Sequence, residues 1–239
     1  MPKPEAIGWP SYPHEVLAAV LSVRRMGKSA RLCALLWQRT HEPFTGAWAL
    51  PGGGLPPDLR LRDAILAHLA TKVEVKDVAY LEQLATHSVV TRDPRARVLA
   101  TAYVGLVPTD VEPALPEDTA WHPVDDLPAT AFDHHYFVAA AVDRLRAKLS
   151  YTNIGFALAP EEFTIAELRD VTSAALGYQV SATNLVRVLT RRAVIEPTTR
   201  VGTPGRTGGR PAALYRFVSR RMTVTDPFAV LKPPRAREA

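Results

Sequence analysis

The stretch from Ser181 to Arg192 concentrates side chains suited to a polyanion. With Leu185, Val188 and Leu189 turned inward, helical spacing leaves Ser181, Thr183, Asn184, Arg187 and Arg191 on the outer side. A carboxamide pairs with the edge of adenine and a guanidinium with that of guanine, which makes Asn184 and Arg187 candidate base readers. Short polar groups at the helix start, Ser181 and Thr183, can approach a phosphate with help from the helix dipole. Downstream, Arg200 to Arg210 holds three arginines and four glycines and no acid. Two readings of this loop stay open. It is either a flexible linker, or a wing that lays Arg206 and Arg210 along a phosphate backbone or into a minor groove.

A second chemical feature lies earlier, where Leu50-Pro51-Gly52-Gly53-Gly54 precedes a helical pattern. Consecutive glycine amides can point at an anion. Other reactive types are sparse. His68, His134 and His135 lack carboxylates at ligand spacing, so they read as solvated or core histidines, and no metal site or catalytic residue is expected. Cys33 is the single cysteine, set in an apolar run, and reads as a small buried hydrophobe. No intramolecular disulfide or thiolate zinc cluster can form.

The chain that must position these groups is 239 residues long, enough for two domains. Residues 1–149 carry 16 basic against 17 acidic side chains, a net −1, and residues 150–239 carry 13 against 7, a net +6. The excess positive charge therefore sits in the last ninety residues, as a polyanion-binding module or as an ordinary solvated surface. The apolar runs are strand-sized, far short of a membrane span, and Met1 to Pro13 contains no apolar leader core. A cytoplasmic protein with no membrane contact is expected.

Strands are expected over Glu15–Arg25 and Arg31–Arg39, joined by a hairpin at Met26-Gly27-Lys28-Ser29, and again over Arg97–Val107. A helix starting at Leu61 turns Leu61, Ala64, Ile65, Leu69 and Val73 to one face, and a second spans Asp133–Ser150. Periodicity stops between Ser150 and Pro160, which divides the chain into 1–150 and 151–239. Beyond it, Thr164 and Glu167 form a capping-box pattern for a helix ending at Gly177. The Ser181 helix follows, then strands at Ile195–Thr199 and Ala212–Val218. Helix, turn, helix and hairpin is the order of a winged helix. A loosely held tail is expected past Thr223.

The first half resembles a Nudix hydrolase around Trp48-Ala49-Leu50-Pro51-Gly52-Gly53, preceded by Arg39 and followed by a helix. The Nudix box continues from its Gly through a Glu to an Arg-Glu-x-x-Glu-Glu cluster on the helix, where carboxylates on one face hold Mg²⁺ against a diphosphate. Laid on this chain from Gly53, those positions are Leu59, Ala67, His68, Thr71 and Lys72, with Glu74 at the final Gly. Starting from Gly52 or Gly54 restores no metal cluster either. The resemblance extends through Leu81-Glu82-Gln83-Leu84, Thr91-Arg92-Asp93-Pro94-Arg95 and Ala131-Phe132-Asp133-His134. In the second half it rests on Tyr178–Arg192 and on Gly209-Arg210-Pro211-Ala212-Ala213-Leu214-Tyr215-Arg216-Phe217. Together these are similar to the Nudix-related regulators of NAD metabolism, the NrtR family.

The resemblance implies a Nudix-like α/β/α sandwich followed by a winged helix-turn-helix. It further implies a homodimer on palindromic double-stranded DNA, with ADP-ribose or a related nucleotide as effector and no cofactor. Without a metal the diphosphate must be held by cations and donors. Arg39, Lys72, Arg92 and Arg97, with the amides of Gly52, Gly53 and Gly54, are the expected ligand set. The dimer interface is expected on the apolar N-terminal strands or the Asp133–Ser150 helix. The expected function is a repressor of NAD biosynthesis or salvage genes. The alternatives are a nucleoside diphosphate hydrolase with a noncanonical metal site, and an adaptor that kept the shape without a ligand.

Overall fold

The computed structural model describes residues 10–27, 29–202 and 212–226. Strand β1 (His14–Met26) turns at Gly27, whose φ is +62°, into β2 (Ser29–Gln38), with Met26 opposite Ser29. Every residue of β1 from Val16 to Arg24 is buried. Such a continuous run belongs to a strand covered on both faces. It is the centre of the sheet. Besides β2, it pairs antiparallel with β4 (Gly52–Gly54) and parallel with β6 (Leu99–Leu106). Along β2 run β3 (Trp48–Ala49) and β7 (Thr119–Pro123), while β5 (Tyr80–His87) closes the far edge against β6.

The side-chain period of two sends the sheet into two cores. On one face Val16, Ala18, Val20 and Leu35 meet helix α1 (Leu61–Lys72) through Ala64, Ile65 and Leu69. On the other, Leu17, Ala19, Leu21, Leu32, Ala34 and Leu36 meet α2 (His134–Tyr151) through Phe137, Val138, Ala141 and Leu145. This is the expected sandwich. The second core does not stop at residue 150. It continues through Ile154 and Phe156 to Leu168, Val171 and Ala175 of α3 (Ile165–Leu176), and on to Ile195 and Phe217. The two halves, separable by pattern, share one apolar interior.

In the second half the capping box is present. Thr164 accepts from the Glu167 amide at 3.2 Å, and the Glu167 carboxylate accepts from the Thr164 amide at 2.7 Å. Gly177 ends α3 in the left-handed region at φ +81°. After α4 (Ala182–Arg191) come β8 (Ile195–Val201) and β9 (Ala213–Phe217), paired antiparallel, with Phe163 bridging to Tyr215.

Three expectations need correction. Of the tail expected to be loose past Thr223, the part through residue 226 is held, with Val224 bridging Thr152, the Thr225 amide donating to Tyr151 O at 2.8 Å and Arg192 pairing with Asp226 at 2.5 Å, while 227–239 lie outside the described residues. The apolar N-terminal strands cannot supply an intersubunit surface, because β1 and most of β2 are consumed by the chain's own two cores. In α4, Val186 packs on the core with Leu185 and Leu189, in the place expected for Val188. Among the described residues, no helix is long and apolar enough to cross a membrane.

Candidate functional site

The triple glycine is not an open loop. It forms β4, with Gly52 opposite Leu17, Gly53 opposite Val16 and Gly54 opposite Glu15, so the ladder takes part of the hydrogen-bonding capacity expected for a ligand. Two of these glycines are required by close approach. A Cβ on Gly52 would lie 2.2 Å from the Val16 carbonyl oxygen, and one on Gly53 would lie 2.7 Å from the His68 ring. Helix α1 then lays its His68–Lys72 face over the strand. Lys72 Nζ donates to Gly52 O at 2.6 Å, and His68 Nε2 lies 3.0 Å from Gly54 O. Beneath the ammonium is the Trp37 ring, centroid at 5.1 Å, itself fixed by its indole N–H donating to Leu50 O at 3.1 Å.

Beside Lys72 stands Arg39, just past the end of β2. Its Nε donates to Pro43 O at 2.8 Å, and its guanidinium lies 4.9 Å from the Phe132 ring centroid. Arg95 approaches the same ring at 6.0 Å while pairing with Asp93 at 2.7 Å. Phe44 meets Phe132 edge-on at 4.9 Å. The three cations feel one another. Partial burial lowers the pKa of Lys72, and repulsion from Arg39 lowers it further; burial and then Arg95 do the same to Arg39. Glu15 opposes both. The result is a cluster of three cations backed by aromatic rings, in which Arg95 is paired with Asp93 while Arg39 and Lys72 are held by backbone carbonyls.

Two members of the expected set lie elsewhere. Arg92 is not a free cation: its side chain is 1% exposed and clamped between Glu15 at 2.5 Å and Asp133 at 2.8 Å. Burial demands that pairing, and the pairing spends its donors. Arg97 is exposed and stacks over Tyr12 at 4.6 Å. Arg95, Trp37, Phe44 and Phe132 were not expected at the site. The motif Thr91-Arg92-Asp93-Pro94-Arg95 contained the signal for Arg95, but sequence alone does not say which of two arginines turns inward.

The box positions hold no metal cluster. Thr71 Oγ1 donates back to Ala67 O at 2.8 Å, and among the described residues no group of three His, Cys, Asp or Glu side chains is arranged to hold an ion. A divalent metal does not fit here. His134 is a core histidine: it is buried, its Nδ1 accepts from the Leu50 amide at 2.9 Å, and burial pushes its pKa down to about 3. Cys33 is buried as expected, and burial raises its thiol pKa to about 11.

The second candidate surface is α4. Ser181 caps it, its Oγ accepting from the Asn184 amide at 3.3 Å. Thr183, Asn184, Arg187 and Arg191 are all exposed. Arg187 donates to Asn184 Oδ1 at 2.8 Å. The β8–β9 hairpin stands where a wing would, while Arg206 and Arg210 lie outside the described residues.

Comparison with known proteins matches this division. Residues 13–141 match the NUDIX domain, and residues 155–217 match the NrtR DNA-binding winged helix domain. The ADPR responsive transcriptional repressor NtrR of Acinetobacter baylyi is 30% identical over 237 residues, covering 95% of this chain and 91% of the relative. The crystal structure of Shewanella oneidensis NrtR is 32% identical with a TM-score of 0.73, over 85% of this chain and 93% of that one. The same protein complexed with a 27mer DNA aligns at 30% identity and a TM-score of 0.72, over 85% and 92%. With the sandwich, the winged helix and a near full-length relative in agreement, the chain belongs to the NrtR family.

Proposed function

We propose that this chain is a transcriptional repressor that binds operator DNA through α4 and the β8–β9 wing, and whose Nudix-like domain senses ADP-ribose or a related nucleotide diphosphate. The observation that carries the effector reading is the cluster of Arg39, Lys72 and Arg95 over the rings of Trp37 and Phe132, where charge and ring faces suit a diphosphate with its attached base or ribose. It is supported by the ADPR responsive relative, and the DNA reading by the likeness to NrtR complexed with a 27mer DNA. Ser181, Thr183, Asn184, Arg187 and Arg191, with Arg206 and Arg210, are the DNA-contacting set. A homodimer on a palindrome matches a fold in which one winged helix reads a single half-site. NAD biosynthesis or salvage genes are the proposed targets.

The domain senses without hydrolysing, since the helix that should present carboxylates presents His68, Thr71 and Lys72. The test is a mobility-shift titration on a palindromic operator, with and without ADP-ribose, alongside a hydrolysis assay in Mg²⁺ or Mn²⁺. An effector-dependent change in affinity with no turnover is expected. Turnover above about one per second, the range of ordinary enzymes, would establish a hydrolase, and an operator affinity indifferent to nucleotides would leave an adaptor.

A further inference from the structure

Lys72 stands at the box position from which a helix carboxylate would hold a divalent ion, and its ammonium lies against β4. His68 and Lys72 are four residues apart on α1, on one face. Each reaches a carbonyl of β4, at Gly54 O and Gly52 O. A carbonyl only accepts, so His68 Nε2 carries its proton and this face offers donors to the strand. The third box position, Thr71, has turned its hydroxyl into the helix.

A divalent cation brought here would have to take Gly52 O from an ammonium 2.6 Å away. It would lie among Lys72, Arg39 and Arg95. Of the acids that face them, Glu15 is bound to the buried Arg92 and Asp93 is bound to Arg95, while Glu42 faces Arg39. Like charges at such range repel without a compensating ligand. An anion meets the opposite situation. The ammonium has three N–H groups, of which Gly52 takes one, and the residue keeps solvent access on its outer side. Trp37 lies beneath it, and burial and then Arg39 beside it disfavour its charge.

We infer that Lys72 is a built-in replacement for the metal: the site takes its nucleotide diphosphate as the metal-free anion, with the ammonium against the phosphates, and gains nothing from Mg²⁺. This rests on the sensor reading above and names the ionic form in which the effector is bound.

The test is calorimetric titration of the full chain with ADP-ribose, once in EDTA and once in excess Mg²⁺. An affinity no higher in Mg²⁺ than in EDTA is expected. Lys72→Met should lower affinity by about tenfold in both, as loss of a charge-assisted contact does, while Lys72→Arg recovers part of it. Unchanged circular dichroism and melting temperature check that each variant is folded. As a direct probe, Mn²⁺ alone should give the spectrum of the free aqueous ion when mixed with the protein. Binding that requires Mg²⁺, or an affinity unaltered by Lys72→Met, overturns the inference alone. No heat in either buffer overturns the sensor reading and the inference with it.

Discussion

Arg187 holds Asn184: its Nη2 donates to the carboxamide oxygen at 2.8 Å on the exposed side of α4. Free of DNA, the two proposed base readers are each other's partner on an exposed face. Their contributions should therefore not add. Arg187→Ala should cost about 1–3 kcal/mol of operator binding and relax specificity at one base position. Asn184→Ala made on top of it should cost less than it does in the parent. A double-mutant cycle by mobility shift measures the coupling, and strict additivity would show that each side chain meets DNA alone.

The arginines of the glycine-rich loop should behave differently. Arg206→Ala and Arg210→Ala remove charges flanked by glycines with no acid in the loop. If that loop follows the phosphate backbone, each change weakens binding to operator and random DNA alike, and each reduces the salt slope by about one. Titration across salt concentrations reads this. A change in sequence preference with an unaltered slope would assign the loop to base contacts instead.

Buried charge makes a sharper prediction in the first half. The Arg92 side chain, 1% exposed, joins Glu15 on β1 to Asp133 at the start of α2. Removing the shared cation leaves two partly buried carboxylates facing each other, with only His87 at 3.2 Å still beside Asp133. Arg92→Met should destabilise the chain by about 3–5 kcal/mol, as broken buried pairs do. Urea unfolding checks it. A loss below about 1 kcal/mol would mean that the triad behaves as surface charge.

How much of this could be read from sequence divides along physical lines. The helices α1 to α4 and strands β1, β2 and β6 carry long periodic or apolar runs, so packing and propensity agree and their residues announce them. Strands β3 and β4 do not: two and three residues long, one of them all glycine, they exist because β1 and β2 offer partners. In β5 the alternation is broken by the irregularity between Gln83 and Ala85. The site was legible in its residue types and only partly in its membership. Lys72 and Arg39 follow from spacing around the box, whereas Arg95 and Phe132 arrive from loops with no periodicity, and Phe132 does so at φ +53°. Burial of Arg92 depends on partners 77 and 41 residues away, a distance that local patterning does not span.

His134 gives the chain an acid-sensitive core. It is neutral when folded, with a pKa of about 3 against an ordinary value of 6.5. Between those values the unfolded chain binds a proton that the folded chain refuses, so stability is fully present above about pH 6.5 and falls as pH drops toward 3. The slope due to this group is about 1.4 kcal/mol per pH unit. His134→Gln keeps an oxygen able to accept from the Leu50 amide while removing the titration. Urea unfolding between pH 4 and pH 7 should show a shallower loss in the variant. Parallel curves would mean that the imidazole escapes burial before it protonates.

The shared core implies that the two halves stand or fall together. Phe156, Phe163 and Phe217 of the second half sit in the same apolar interior as Leu21, Phe137 and Leu145 of the first, and α3 lies directly against β2. Domains joined by a small polar interface unfold separately, whereas an interior continuous through both halves couples them. Met222 adds to this, because its sulfur accepts from Tyr80 Oη at 3.4 Å and from Lys148 Nζ at 3.6 Å, both in the first half. Calorimetry of the full chain should thus give one transition, with calorimetric and van't Hoff enthalpies equal. Leu145→Ala, a truncation in α2, should lower that single midpoint and cost about 2–5 kcal/mol. It should shift the near-ultraviolet signal of the second-half tyrosines in step with that of the first-half tryptophans. Two resolved transitions, or a midpoint for the winged helix that ignores Leu145→Ala, would show that the halves are energetically independent and that the contact between them is only a docking surface.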